Sequence, residues 1–252
     1  MNNKNVNKLS ELKTMFSKED LDDLVDIVIE LEKQQFNDED IISLLMETEN
    51  KDICCWALLK LKYVNSQKAA LHIVKMINGP DSRLRELSSG VVNKHICIYQ
   101  GFYKTIFNNP DYYDYYIWTL TDVNPRVTRN INACYCYLDQ PDILFEKLID
   151  ALKNLKGNFL EYWALEGLAC LISRVKDETV LRHSDYLIEL FNKLIYRQDE
   201  LLKEKVAIIL PDFIKYANFE SNPVFKRNIL KLKKDQNYFI KEVSKKINIE
   251  RF

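Results

Sequence analysis

The chain has 252 residues, and its 36 Lys and Arg against 37 Asp and Glu give a formal net charge of −1. A chain with no excess of basic residues lacks the overall charge on which a double-stranded DNA binder depends. Only 5 Gly and 6 Pro are present, too few for the turns of an all-β protein. The sequence contains no run of about 18 apolar residues, so we expect no membrane span.

The amino terminus opens with ten Asn- and Lys-rich residues that lack the apolar core of a secretory signal. We expect residues 1–10 to fray. Two helix starts follow, since Ser17 with Asp20 and Asn37 with Asp40 are both typical of capping boxes.

Helical periodicity then continues almost to the carboxyl end. The predicted helices cover residues 52–63, 67–78, 80–98, 110–121, 125–138, 142–156, 159–175, 184–196 and 199–218, with two more beyond. Five prolines lie where helices would begin, at Pro80, Pro110, Pro125, Pro141 and Pro223. Pro211 falls inside an apolar run, which predicts a kink or a break there.

The segment 122–133, DVNPRVTRNINA, combines a helix start with a packing face. Asn124 is a good N-cap, Pro125 suits the first helical position, and Val127 and Ile131 recur at helical spacing. Ala133 is small enough for a neighbouring helix to approach. The segment resembles the second helix of a HEAT repeat, which typically opens with Asp and Pro followed by a Val, an Arg and a small residue.

Small residues repeat along the chain at intervals close to those of helix-pair solenoids. Successive separations are 33, 43, 34 and 40 residues for Ala57, Gly90, Ala133, Gly167 and Ala207. The resemblance implies an all-α, right-handed α-α superhelix, an armadillo-like or HEAT-like solenoid of about five to six helix pairs. We expect residues 1–252 to form one such domain.

All six cysteines lie in predicted helices beside apolar residues, as reduced core thiols do in a reducing compartment: Cys54, Cys55, Cys97, Cys134, Cys136 and Cys170. We therefore expect a cytoplasmic protein. Neighbouring cysteines do not converge on one helix face, so no metal site is predicted.

The predicted helix 110–121 carries aromatic residues on every side, although a helix that packs on one face requires only one apolar stripe. Some of these rings should therefore line the concave groove, where Tyr and Trp often anchor partners. With two arginines of the next helix, the candidate binding residues are Tyr112, Tyr115, Tyr116, Trp118, Arg126 and Arg129. Trp56 and Trp163 lie on packing stripes, and we interpret them as structural.

Residues 118–129 also look like a segment of the HEAT-like DNA alkylation-repair glycosylases, in which a Trp, a hydroxyl residue, an acidic residue and an Asn precede a helix with a DNA-facing Arg. That likeness implies that Arg129 contacts phosphate. The rest departs from the family: no counterpart of its catalytic Asp segment is found, and Glu161 and Glu166 stand where positive charge would be expected. The ordinary alternative is that Arg129 pairs with an acidic residue such as Asp122.

Charge is unevenly distributed along the chain. Residues 11–49 carry 13 acidic and 3 basic residues, whereas residues 221–252 carry 9 basic and 3 acidic ones. Such ends are typical of solvated capping helices, but they could also favour head-to-tail contact or orient a charged partner.

No phosphate-binding loop, nucleophile elbow or HExxH helix is present in the sequence. We therefore expect a non-enzymatic scaffold without a cofactor that binds a protein or peptide on a concave surface and does not enter a membrane. The alternatives are a DNA-binding relative of the glycosylases and a lyase-type HEAT-like protein acting on a bound chromophore.

Overall fold

The computed structural model describes residues 29, 31–33, 36–99, 101–157, 159–197 and 199–248. These residues are helical without any strand, as the sequence predicts. The predicted capping box at Ser17 and Asp20 and the expected fraying of residues 1–10 lie outside the described residues.

The α-helices within those ranges are α1 Asp38–Glu47, α2 Lys51–Lys60, α3 Gln67–Met76, α4 Ser82–Asn93, α5 Phe102–Thr105, α6 Tyr113–Trp118, α7 Pro125–Asn132, α8 Pro141–Asn154, α9 Leu160–Leu171, α10 Asp177–Arg182, α11 Ser184–Tyr196, α12 Glu200–Phe213, α13 Pro223–Leu232 and α14 Tyr238–Lys245. A π-helical turn, Lys94–Ile98, continues α4, and 3₁₀ turns at Pro110–Tyr112 and Thr119–Thr121 flank α6.

Side-chain caps explain where several helices begin. Asn37 accepts the backbone N–H of Asp40 at 2.9 Å, and the Asp40 carboxylate accepts the backbone N–H of Asn37 at 3.4 Å, so the predicted capping box is confirmed. Asn124 caps α7 by accepting from the Arg126 N–H at 3.0 Å. Prolines occupy the first position of the turn or helix at Pro110–Tyr112, α7, α8 and α13, whereas Pro80 lies one residue before the N-cap of α4.

The chain divides into two compact units, Met1–Tyr115 and Tyr116–Phe252. The expectation of one continuous domain remains a prediction. In the first unit, α1 packs on α2, and α4 packs on both α2 and α3. Each of these helices buries its apolar side against its neighbours.

The second unit has two layers of helices. The first helices of each pair are α8, α11 and α13, and the second helices are α7, α9, α12 and α14. Helix α9 packs against α7, α8 and α12, and α12 packs against α11 and α14. Helices α9, α12 and α14 each pack on one first helix, α8, α11 and α13 respectively. The partly exposed side of α9, which carries Tyr162, Trp163 and Glu166, is called its free side.

Two of the small residues predicted to pack have different environments. A Cβ at Gly167 in α9 would lie 2.8 Å from the Tyr135 ring, so close approach at this glycine is confirmed. Ala133, in contrast, is exposed and caps the end of α7. The packing role predicted for Ala133 is wrong because α7 ends at Asn132, six residues before the predicted end, and turns away through the 3₁₀ turn Tyr135–Tyr137.

The interpretation of all six cysteines as reduced core thiols is also wrong. Cys136 and Cys170 form a disulfide with their Cα atoms 5.1 Å apart, and Cys136 is exposed. The reason is again the early end of α7, which places Cys136 in the 3₁₀ turn beside α9. Cys54, Cys55 and Cys134 are buried and form no disulfide, and burial raises the pKa of the Cys54 thiol to about 11.

Of the kink or break predicted at Pro211, the break does not occur. Helix α12 continues through this residue to Phe213 and then tightens into a 3₁₀ turn, Ile214–Tyr216. The position lies in the last turn of the helix, where a missing N–H interrupts little of the remaining hydrogen bonding.

Candidate binding surface of the second unit

The predicted aromatic residues divide between the core and the surface. Tyr112 is only 4% exposed, and its hydroxyl lies 3.1 Å from Gln67 Oε1. Tyr116 is fully buried, and Tyr115 is partly exposed. Trp118 is 57% exposed. Tyr112 and Tyr116 therefore stabilise the fold, and of the four rings Trp118 is the most accessible to a partner.

Arg126 and Arg129 lie on the side of α7 that faces away from the core. The buried side of this helix carries Val127, Thr128 and Ile131, and both arginines are exposed. Asp122 accepts the backbone N–H of Asn124 at 2.8 Å, which helps to set the start of α7. Within the described part of the chain, no ion pair of Arg129 is found, so the expected pairing with Asp122 does not form.

The neighbouring helix α9 presents aromatic and acidic side chains on its free side. The Tyr162 and Trp163 rings meet edge to face with their centroids 5.1 Å apart. Lys205 of α12 places its ammonium 4.8 Å from the Tyr162 ring centroid and 3.4 Å from Glu166 Oε2. Trp163 is only partly exposed, and its carbonyl accepts a hydrogen bond from Asn132 Nδ2 at 3.1 Å.

A cleft of about 440 Å³ opens beside this surface, between the start of α9 and the start of α12. Its apolar lining comes from α8 and its following loop and from the first turns of α9 and α12: Leu152, Leu155, Leu160 and Leu202. Phe159 and Leu201 stand at the cleft with 73% and 59% of their surfaces exposed. We call this site the Phe159 cleft.

The rim of the Phe159 cleft is polar. Arg197 and Glu161 form an ion pair across it, and Lys193 lies 3.9 Å from the other oxygen of Glu161. The Asp199 side chain accepts the Leu202 N–H at 3.2 Å and so caps α12 at the edge of the cleft. The lining of the Phe159 cleft is therefore mixed, with apolar side chains inside and charged side chains at the rim, and apolar surface combined with a few placed polar groups is common in ligand sites.

Phe159 adopts an unusual backbone conformation with φ of +63°. A residue with a side chain is strained in this left-handed region, which favours glycine. The conformation places Phe159 at the N-cap of α9, and its carbonyl accepts the Trp163 N–H at 3.0 Å. Strain of this kind is concentrated at functional sites in proteins.

The Phe159 cleft is the feature that sequence reasoning missed. In the sequence Phe159 marks only the start of a predicted helix, and nothing in helical periodicity predicts a left-handed backbone at a Phe. The available signal was Gly157, because a Cβ at this position would lie only 3.1 Å from the Thr121 side chain and the loop before α9 therefore favours glycine there.

Comparisons with known proteins place the fold. No known family and no curated protein matches the chain in sequence. An engineered protein solved by the Northeast Structural Genomics Consortium is similar over 84% of this chain and 97% of its own, with 13% identity and a TM-score of 0.60. A designed armadillo repeat protein in complex with the peptide (KR)4 is similar over 94% of this chain and 96% of its own, with 12% identity and a TM-score of 0.53.

The chain therefore has an all-α repeat fold of the HEAT and armadillo type. An archaeal HEAT-like repeat protein from Thermococcus onnurineus NA1 shares 14% identity over 84% of this chain and 79% of its own, with a TM-score of 0.44. No helix in the described ranges is both long and apolar enough to cross a membrane.

Proposed function

We propose that the second unit binds an extended peptide segment of a partner protein. The observation that carries this proposal is the Phe159 cleft, which exposes Phe159 and Leu201 around a pocket of mixed apolar and polar lining. Large exposed apolar side chains around a pocket are typical of sites that accept an anchoring side chain from a partner. The peptide would insert one bulky apolar side chain there.

The surroundings of the cleft supply the polar contacts that orient a peptide. The Glu161–Arg197 pair and the Asp199 carboxylate offer charged partners to backbone and side chains. The free side of α9 extends the surface toward Arg126 and Arg129 of α7. These two arginines and Trp118 remain proposed contacts.

Peptide binding also fits the fold. The designed armadillo repeat protein that resembles this chain is described in complex with (KR)4, and other designed armadillo proteins of similar fold serve modular peptide recognition. A shared fold does not imply a shared ligand, so the sequence of the peptide must be determined for this chain. A non-enzymatic, cofactor-free role is part of the same proposal, whereas the cytoplasmic location expected from reduced thiols loses its ground with the Cys136–Cys170 disulfide.

A displayed library of random peptides, selected on the purified chain, tests the proposal. Selected peptides should share a bulky apolar residue, and the double variant Phe159→Gly with Leu201→Ser should weaken their binding by about tenfold or more, or about 1.4 kcal/mol. Isothermal titration calorimetry measures the change.

Leu181→Ser is the matched control, because Leu181 is similarly exposed but does not line the cleft. It should leave affinity unchanged. Failure to select any peptide, or equal binding by wild type and the double variant, would show that the cleft is not the site.

DNA binding remains the second prediction from sequence. The exposure of Arg126 and Arg129 meets one of its conditions, but Glu161 and Glu166 on the adjacent helix oppose a phosphate backbone. Duplex binding at low salt that is lost on Arg129→Ala would favour this function.

A further inference from the structure

A second concave feature of the second unit is rich in basic side chains. A groove of about 540 Å³ lies between the first turn of α12 and helix α13 with the turn after it. Lys203, Arg227, Lys231 and Lys234 line it together with the exposed Leu230, against two carboxylates, Glu200 and Asp235. We call this feature the basic groove.

The carboxylates of the basic groove are already engaged. Asp235 lies 3.3 Å from Lys203 Nζ, and both side chains are largely buried. Glu200 accepts a hydrogen bond from Asn237 Nδ2 at 2.9 Å. Lys203 therefore compensates the charge of Asp235, whereas Glu200 keeps its charge because its hydrogen-bond donor is a neutral amide, and the lining retains an excess of two positive charges.

The remaining cations lie on α13 and in the turn after it. Arg227 and Lys231 are exposed four residues apart on α13, a spacing that places like charges side by side and destabilises a helix, and Lys234 is exposed in the following turn. Lys231 rests 4.8 Å from the Tyr196 ring centroid, and Arg227 and Lys234 have no ion pair within the described residues. An unfavourable charge stripe beside an open groove fits an acidic occupant.

The chain itself carries a matching acidic stretch. Residues 11–49 have an excess of ten negative charges, with apolar residues at helical spacing between them. In the described part of this stretch, Glu39, Glu47 and Glu49 are exposed.

We propose that the basic groove binds the acidic stretch 11–49 of a second copy of this chain. The contact joins two different surfaces, so it is heterologous and adds copies head to tail. Electrostatic attraction sets its register, and Leu230 offers an apolar contact inside the groove. The association is therefore strong at low ionic strength and weak at high ionic strength.

Analytical ultracentrifugation over a concentration series tests the proposal. At about 20 mM NaCl, where screening is weak, the average mass should rise with concentration, and at about 300 mM NaCl it should return to that of the monomer. The triple variant Arg227→Glu, Lys231→Glu, Lys234→Glu should stay monomeric at both salt concentrations. The triple variant Asp22→Lys, Asp23→Lys, Asp26→Lys should also stay monomeric at both salt concentrations.

Mixing the two variants gives the decisive result. The groove variant keeps the wild-type acidic stretch and the stretch variant keeps the wild-type basic groove, so the equimolar mixture should associate through these two unchanged surfaces although neither variant does alone. Lys62→Glu, Lys68→Glu, Lys75→Glu makes the same charge change on exposed residues of the first unit and should associate like wild type.

Three outcomes would overturn the proposal: a monomeric wild type at low salt, no association of the mixture, or loss of association in the matched control. Circular dichroism spectra that superimpose on wild type establish that each variant is folded.

Discussion

His95 is held in one protonation state inside the first unit. Its Nδ1 lies 2.8 Å from the Val91 carbonyl and donates to it, while Nε2 accepts the Val64 N–H at 2.9 Å. A nitrogen that accepts cannot carry a proton, so the folded state requires the neutral ring. Burial lowers the pKa of His95, and it also lowers the pKa of His72.

This arrangement predicts acid sensitivity. Because the folded-state pKa lies below the unfolded value of about 6.5, the unfolded chain binds more protons as pH falls, and the stabilisation present above about pH 6.5 is lost below it. Melting temperatures measured between about pH 7.5 and pH 5 should fall, and His95→Gln should make that fall shallower. An unchanged slope in the variant would contradict the assignment.

Gly167 is a second residue whose identity is set by one neighbour. Alanine is a better helix former than glycine, but its Cβ would overlap the buried Tyr135 ring at 2.8 Å. We expect Gly167→Ala to lower the free energy of unfolding by about 1–3 kcal/mol.

Urea denaturation measures this loss, and a double-mutant cycle identifies its cause. In a Tyr135→Leu background the ring is absent, so Gly167→Ala should cost less there than in wild type. Equal costs in both backgrounds would place the strain elsewhere.

At the scale of elements, the start of α9 combines strain with exposure. Phe159→Gly removes a side chain from a left-handed conformation, and the ring that is lost is 73% exposed. We expect the free energy of unfolding to stay level or to rise by up to about 1 kcal/mol while peptide binding weakens. Marked destabilisation, measured by thermal unfolding, would mean that the ring is structural.

The turn after α7 is fixed twice to its surroundings. The Cys136–Cys170 disulfide joins it to α9, and the Arg174 guanidinium donates to the carbonyls of Tyr135, Cys136 and Leu138 at 3.1, 2.6 and 2.6 Å. The arginine holds the same turn when the disulfide is open.

Reduction should therefore destabilise the chain without unfolding it locally. We expect dithiothreitol to lower the free energy of unfolding by about 2–4 kcal/mol in wild type and to have no effect on the double variant Cys136→Ser, Cys170→Ser. Urea denaturation with and without reductant makes the comparison. Six reactive thiols in the untreated, denatured chain would show that the disulfide is absent.

At the scale of the whole molecule, the sequence predicts local structure better than it predicts surfaces. Caps such as Asn37 and Asn124 act within a few residues, so their helices begin where expected. The end of α7 depends on packing against α9, which is distant in sequence, and the fates of Ala133 and Cys136 follow from it. The exposure of a side chain also depends on residues that are distant in sequence, so helical periodicity does not distinguish the buried Tyr116 from the exposed Trp118.

The Phe159 cleft and the basic groove meet at the first turn of α12. Leu201 and Leu202 line the cleft, whereas Glu200 and Lys203 line the groove. This turn is fixed on both sides, since Asp199 caps the Leu202 N–H and Glu200 accepts from Asn237. Coupling between two sites requires an element with two arrangements, and a capped, hydrogen-bonded turn offers only one.

We therefore expect peptide binding and self-association to be independent. A saturating selected peptide should change the dissociation constant of self-association by less than about twofold, and by linkage the self-associated chain should bind the peptide with unchanged affinity. Sedimentation with and without peptide at low salt measures the first quantity, and titration calorimetry measures the second. A change of tenfold or about 1.4 kcal/mol in either would mean that α12 shifts when one site is filled, because a rigid turn transmits no such energy.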